Sequence, residues 1–557
     1  KQTSKNLLKS FYPQSRELLK FSVLSKQPML NYSNLAPFSS LSKQSNVKNS
    51  NNSFLPSCSL MRFSDSCKSD PNAPDVNVEL NKLSKHCYIE QIPTSCLAQF
   101  GYYIEANGKA FVVDPVRDID YYLKLCSERK AEIKYIGETH FHADFVSGHL
   151  DLSEKTGGKI IFGPGAKPEY SIIETKHEMI FELSDKIAIQ LIHTPGHTLE
   201  SCCFSVLEKD DQGKYKTLAV MTGDTLFLGE VGRPDLAVKS DLTEKDLAGL
   251  MYESCQYLAG LPDDCVVLPG HGAGSPCGKN IQTGTYSTIG YQKLTNYGLN
   301  NSLSKTKFIE ILTSNLPTPP SYFFHSVKQN KGNIQSTKEI HSKTTPIKQE
   351  EFLAMTHQNS EVKIIDTRKN FLILSTGTLP KAICIDLDTS YAIWAGTLID
   401  PNEKIAIVCE EGREEEAITR LTRVGFDNIV GYLEGGFEAW VNNKHTVNRI
   451  SVIPNKEFVD ILKNSGSSQF VLDVRNPNEH KTTGVIENST LIPLIELEKN
   501  LDKIPTDRTV NVLCKGGLRA SMAASIIVSK GYSNQINVVE GGLDKSVENG
   551  ITLKSLN

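Results

Sequence analysis

The stretch Thr139–His149, THFHADFVSGH, sets His140, His142 and Asp144 at alternate positions. That is the spacing of a His-x-His-x-Asp-His loop, which arms two-metal hydrolases because imidazole and carboxylate are the ligands divalent metals take from proteins. The sixth position of the pattern holds Phe145, which can bind no metal. Further on come TPGHT with His197, TGDTLF with Asp224 and PGHG with His271. One histidine in a loop is usually a surface residue; four such loops form a constellation.

The elements that must position these residues are short and β-rich. GYYIEANGKAFVVDP reads as a hairpin turning at Asn107-Gly108. IKYIGETH, IAIQLIHTPGH, TLAVMTGDTLF and CVVLPGHG are apolar runs, and each ends in a loop with a His or an Asp. The Pro-containing stretch TSNLPTPPSYFFHSVKQNKGN then reads as a linker or wrapping segment.

A chain of 557 residues is too long for one core. A net charge of −4 and a pI near 6.4 lack the basic excess of a nucleic-acid binder. No apolar run approaches the ~18 residues of a membrane span, so neither nucleic acid nor membrane is expected as a partner. Thirteen scattered cysteines without a CxxC pair argue for a reducing compartment. Residues 1–62 hold nine Lys or Arg, fourteen Ser and one acid, Glu17, the composition of an organellar transit peptide or of a polar linker. The expected location is the mitochondrial matrix, with plastid or cytoplasm as alternatives.

THFHADFVSGH, TPGHT, TGDTLF and PGHG together resemble the metallo-β-lactamase superfamily, which implies an αββα sandwich. In its two-metal hydrolases one ion takes both His of His-x-His and a later His. The second takes the Asp and last His of the motif and a His near the domain end, with an Asp bridging. Phe145 removes a donor from that second set. The resemblance narrows to the persulfide dioxygenases, whose iron ligands map onto His140, His197 and Asp224, implying one Fe(II) per chain. GDTLFLGEVGRPDL continues the likeness, making Arg233 a candidate for binding a substrate carboxylate or for shaping the site. His142, Asp144 and His271 then either orient ligands and metal-bound water or are structural polar residues. His149, His177 and His193 read as ordinary, and Cys96 and Cys277 as buried structural thiols or, alternatively, sulfur-handling ones.

Two later blocks repeat each other. Residues 408–436 align without gaps on 514–542, so that Val408 meets Cys514 and Arg413 meets Arg519 at an offset of 106. IIDTR and VLDVR open the two copies, and strand–loop–helix texture suggests two α/β domains with parallel sheets. CKGGLR (514–519) resembles the rhodanese active-site loop. The resemblance makes Cys514 a nucleophile carrying sulfane sulfur, with Lys515 and Arg519 supplying positive charge. In the first copy Cys409 stands one residue out of place beside Glu410, Glu411 and Glu414, which reads as a degenerate domain, the alternative being a one-residue loop shift that restores Cys409.

The resulting expectation is a multidomain α+β and α/β chain. Residues 1–82 form the transit segment and linker, and 83–340 a metallo-β-lactamase-fold dioxygenase domain. Residues 345–450 form a degenerate rhodanese domain and 451–557 an active one, each domain with its own core. The order resembles the fused persulfide dioxygenase–sulfurtransferases of sulfide oxidation. That implies a small thiol persulfide, glutathione persulfide being the natural one, O2, and thiosulfate or sulfite as partners; homo-oligomerisation is left open. The alternatives are a zinc thiolester hydrolase of glyoxalase II type fused to a sulfurtransferase, and a sulfur carrier with an inert lactamase-fold domain.

Overall fold

The structure is a computed structural model and describes residues 76–237, 242–332, 334–357, 359–465 and 469–556. The expected transit segment and linker lie outside the described residues up to position 75, but 76–82 are no linker: helix Val76–Leu80 buries Leu80, and Asn81 bonds the Ile89 main chain at 2.9 and 3.0 Å.

Two mixed sheets come first. One holds β1 (Tyr88–Thr94), β2 (Gln99–Ala106), β3 (Lys109–Val113), β4 (Glu132–Gly137) and β5 (Lys159–Ile161), in that spatial order. β1 to β3 are antiparallel, while β3, β4 and β5 run parallel. The β2–β3 turn falls on Asn107 and Gly108, whose φ values of 52° and 72° are the positive pair a type I′ hairpin needs. The second sheet holds β6 (Ile180–Glu182), β7 (Ile187–His193), β8 (Cys202–Lys209), β9 (Tyr215–Gly223), β10 (Val266–Pro269) and β11 (Ser287–Thr288). Its spatial order is the reverse, β11 to β6.

Period-two alternation decides what each face meets. Tyr102, Ile104, Phe111 and Val113 face Phe204, Met221 and Leu268 of the other sheet, and the Phe111 and Phe204 rings lie 5.3 Å apart. On the outer faces, Tyr103 and Val112 pack with Tyr122 and Leu125 of helix Asp120–Arg129. Cys203, Val220 and Val267 pack under Ala248 and Met251 of helix Glu244–Ala259. The layers are helix, sheet, sheet, helix, as the resemblance implied.

Two five-stranded, all-parallel sheets follow. The first joins β12 (Thr345–Ile347), β13 (Val362–Asp366), β14 (Ala382–Cys384), β15 (Lys404–Val408) and β16 (Ile429–Leu433) in the order 12-16-15-13-14. The second joins β17 (Ser451–Ile453), β18 (Phe470–Asp473), β19 (Thr490–Leu491), β20 (Val510–Leu513) and β21 (Ile536–Val539) in the corresponding order 17-21-20-18-19. The repeat reaches the side chains. Arg368 pairs Asp366 and donates to the Gly377 carbonyl, and Arg475 does the same with Asp473 and Gly484.

The cores are not separate, as the sequence suggests they should be. One apolar cluster runs from Val112 and Phe145 through Tyr322 and Tyr391 to Val512 and Met522. Polar ties cross the same boundaries. Arg117 reaches Asp427 at 2.6 Å, and Arg423 grips Asp118 at 2.6 and 2.7 Å. The two parallel-sheet domains join where Ser525 Oγ, on helix Leu518–Ser529, accepts from the Cys384 amide of β14 at 2.9 Å. The Pro-containing segment wraps: its helix Phe323–Lys331 carries Asn330, buried against the loop after β4.

Candidate active sites

Four strand ends deliver the candidate metal-site residues. β4 leads into His140, β7 into His197, β9 into Asp224 and β10 into His271, and all four side chains are buried. His140 Nε2 and His197 Nε2 lie 3.8 and 3.6 Å from Asp224 Oδ2. His140 Nε2 and Asp224 Oδ2 have no hydrogen-bond partner. Orphaned, buried donor atoms converging from three strands fit a divalent ion, since burying such groups unsatisfied is otherwise costly.

The far side of each ring is tied down in a way that fixes its tautomer. His197 Nδ1 meets the Arg233 carbonyl at 2.7 Å, so its proton sits there and Nε2 keeps a free lone pair. His140 Nδ1 meets Thr139 Oγ at 3.0 Å, and that hydroxyl donates to Asp114 Oδ2 at 2.8 Å. Burial, then the neighbouring His142, holds the His140 pKa well below the usual histidine value, so it stays neutral as a ligand must. A glycine makes room for this: a Cβ on Gly232 would fall 1.9 Å from the Asp224 carbonyl and 3.1 Å from His197 Nδ1.

A second cluster adjoins the first. His271 sits between Asp224 Oδ1 and Asp144 Oδ2, 2.7 Å from each. Burial opposes its charge, but the two carboxylates push its pKa up to about 10. Cys277 completes this group: donor atoms of Asp144, His271 and Cys277 lie within 4.8 Å of one another. His142 belongs to neither cluster. Its Nε2 is 3.1 Å from Asp114 Oδ1 and 3.2 Å from Glu138 Oε2. His149 Nδ1 also approaches Glu138, at 3.2 Å.

The loop itself is braced from outside. Asn330 accepts from the Ser147 amide and donates to the His142 and Phe145 carbonyls, each at 2.8 Å. Tyr322 donates to the Asp144 carbonyl at 3.1 Å, and the Arg423 carbonyl accepts from the Val146 amide at 2.7 Å.

The second candidate site lies at the end of β20. Cys514 is 2 % exposed and its Sγ accepts the Gly517 N–H at 3.1 Å. Gly517 caps helix Leu518–Ser529 with φ 110°, so helix-start amides face the sulfur. Lys515 is exposed beside it. Arg519 is held by Glu479 through two contacts at 2.5 and 2.8 Å.

A model described as the metallo-beta-lactamase superfamily matches residues 95–271, and the rhodanese-like domain model matches twice, at 348–443 and 455–549. The chain joins a metallo-beta-lactamase domain to two rhodanese domains. Over 248 residues it is 28 % identical to the hydroxyacylglutathione hydrolase of Pelagibacter ubique, covering 44 % of this chain and 91 % of that protein. A probable hydroxyacylglutathione hydrolase of Schizosaccharomyces pombe is 29 % identical over 163 residues, 29 % of this chain and 57 % of that relative, so little more than half of the latter is spanned. Among solved structures, a metallo-beta-lactamase from Staphylococcus aureus subsp. aureus COL aligns with a TM-score of 0.55 and 26 % identity, covering 62 % of this chain and 99 % of its own.

Two expectations need correction. Arg233 is not available to a substrate carboxylate. Its guanidinium is buried, doubly paired with Asp235 at 2.7 Å and bonded to the Pro276 and Pro317 carbonyls. Its part in the site is its own carbonyl on His197. The gapless register of the two rhodanese domains also fails at the active loop. Asp366 pairs with Val408 in the first sheet as Asp473 pairs with Leu513 in the second. Cys409, not Val408, is therefore the counterpart of Cys514. The path from Cys409 to Gly425 is one residue shorter than that from Cys514 to Gly531, two glycines with φ 89° and 88°. In that shortened loop burial, then Glu414, pushes the Cys409 thiol up to about 12. Arg413 there is spent on Asp388 and Glu416.

Proposed function

We propose that the metallo-beta-lactamase domain is a non-haem iron persulfide dioxygenase and that the second rhodanese domain passes sulfane sulfur to or from its substrate pool through Cys514. The observation that carries the first half is the convergence of His140, His197 and Asp224 on one point while position 145 is phenylalanine and His142 is engaged elsewhere. His140, His197 and Asp224 are the residues that would hold the iron(II), which would supply the chemistry that brings O2 and a substrate sulfur together. The balanced reaction converts a thiol persulfide, O2 and water into the free thiol, sulfite and two protons.

Each residue then has a task. Asp224 offsets half of the ion's charge inside a buried site. Thr139 with Asp114, and the Arg233 carbonyl, hold the protons of His140 and His197 on the ring nitrogens away from the ion. His271, between Asp144 and Asp224, holds a proton 2.7 Å from the carboxylate that would bind the ion and so orients it. In the rhodanese domain the Cys514 thiolate attacks the outer sulfur of thiosulfate. The new S–S bond leaves a cysteine persulfide, the old one breaks, and sulfite departs with the electron pair. Gly517 N–H and the helix start stabilise the anion at each stage. The resemblance to hydroxyacylglutathione hydrolases supports a glutathione-borne substrate. The first rhodanese domain, with its high thiol pKa and spent Arg413, is a brace.

A second reading has one observation in its favour. Asp144, His271 and Cys277 could receive a second ion, which would make the domain a two-metal thiolester hydrolase. Metal content separates the two: one iron per chain supports the dioxygenase, two zincs the hydrolase.

A further inference from the structure

We infer that Glu138 and Asp114 withdraw His142 from the metal, with Phe145 backing its ring, and that this withdrawal leaves the site with two imidazoles instead of three. The inference rests on the reading that His140, His197 and Asp224 bind the ion.

His140 and His142 leave the same loop, and their ring centroids are only 4.2 Å apart. Three features hold the His142 ring away from the neighbouring site. The Nε2 atom faces Asp114 Oδ1 and Glu138 Oε2 at 3.1 and 3.2 Å, with all three side chains at most 2 % exposed. Neither carboxylate is free to follow the ring. The Thr139 amide and hydroxyl hold Asp114 at 2.7 and 2.8 Å, while Ser147 Oγ and His149 hold Glu138. The Phe145 ring lies 4.2 Å from that of His142 at an interplanar angle of 32°, filling the space beside it. Turning His142 toward the ion would leave two buried carboxylates facing one another without their shared partner.

The chemical consequence is specific. A third imidazole would close one open coordination position and complete a four-coordinate set, the preference of zinc. Keeping it out preserves the three open positions that oxygen chemistry at iron requires. Glu138 and Asp114 are thus positioning residues for metal choice, and Phe145 has a use beyond lacking a donor.

The test uses the full chain loaded with cobalt(II) as a spectroscopic probe, and separately offered iron(II) and zinc together under anaerobic conditions. Glu138→Ala and the gentler Glu138→Gln are compared with the parent and with Glu138→Ala combined with His142→Ala. Thiosulfate sulfur transfer by Cys514 reports folding in each. The expected result is a stronger cobalt absorption in the single variants, from added imidazole and lower coordination number. Preference for zinc over iron should rise about tenfold, the scale of groups that act through a ligand. Removing His142 as well should return both to parental values. An unchanged spectrum and preference in both single variants would overturn the inference, as would a change that persists without His142. A parent holding an extra ion that Glu138→Ala loses would also overturn it, because Asp114, Glu138 and His142 would then be a cation site. A parent that takes up no metal removes the iron reading itself, and the inference with it.

Discussion

Asn330 lies outside the matched metallo-beta-lactamase segment, yet it braces the ligand loop. Its amide makes three buried hydrogen bonds at 2.8 Å to the main chain of His142, Phe145 and Ser147. Asn330→Ala removes all three and leaves one amide and two carbonyls buried without partners. At about 1 kcal/mol net per lost bond, and more where a group stays unsatisfied, the loss should be ~3–5 kcal/mol. For a domain of this size that lowers the thermal midpoint by roughly 6–20 °C, at ~2–4 °C per kcal/mol. The loop carries His140, so metal affinity should fall about 10- to 100-fold. Calorimetry of the full chain reads the first effect, and chelator competition the second. Asn330→Asp keeps the acceptor for Ser147 but loses both donors, and should retain only part of the stability. If Asn330→Ala lost under ~0.5 kcal/mol and bound metal within about twofold of the parent, the loop would not be held as described.

Asp224→Ala removes the only anionic donor of the set, so metal and oxygen consumption should both disappear while thiosulfate sulfur transfer persists; a full iron equivalent in the variant would refute the ligand assignment. Cys514→Ser should abolish thiosulfate:thiol transfer and leave oxidation of supplied glutathione persulfide intact, measured by sulfite release. Phe145→His should raise zinc uptake above one per chain, because it restores a donor next in sequence to Asp144, which already meets His271 at 2.7 Å; metal analysis after refolding in excess zinc decides. Cys409, with a thiol pushed up to about 12, should be only about one part in ten thousand thiolate at pH 8. Alkylation followed by mass spectrometry should therefore mark Cys514 long before Cys409.

The strand-end loops were legible because apolar runs and metal-binding residue types coincide four times in the chain. The hairpin at Asn107-Gly108 was legible because few dipeptides tolerate two positive φ values in succession. What escaped was tertiary. Asp114 stands 28 residues before His142, on a neighbouring strand end, and only parallel pairing of β3 and β4 brings them together. Glu138, an acid within GETHFH, was a signal of a buried charge needing a partner, but its partner could not be read from spacing. Asn330 sat in a polar stretch that looked like a connection, because one buried amide leaves no periodic trace. The rhodanese register misled for a related reason. Asp366 and Asp473 lie 107 apart, Cys409 and Cys514 105, and Gly425 and Gly531 106, so two extra residues before Cys409 and one missing after it hide the true register from an ungapped string.

The central claim is one iron and an oxygen-consuming reaction. Anaerobically purified chain, assayed for iron and zinc and then supplied with glutathione persulfide in an oxygen electrode, tests it most directly. One iron per chain with one O2 consumed per sulfite formed is the predicted result. Two zincs per chain, or turnover of a glutathione thiolester with no oxygen uptake from the persulfide, would contradict it.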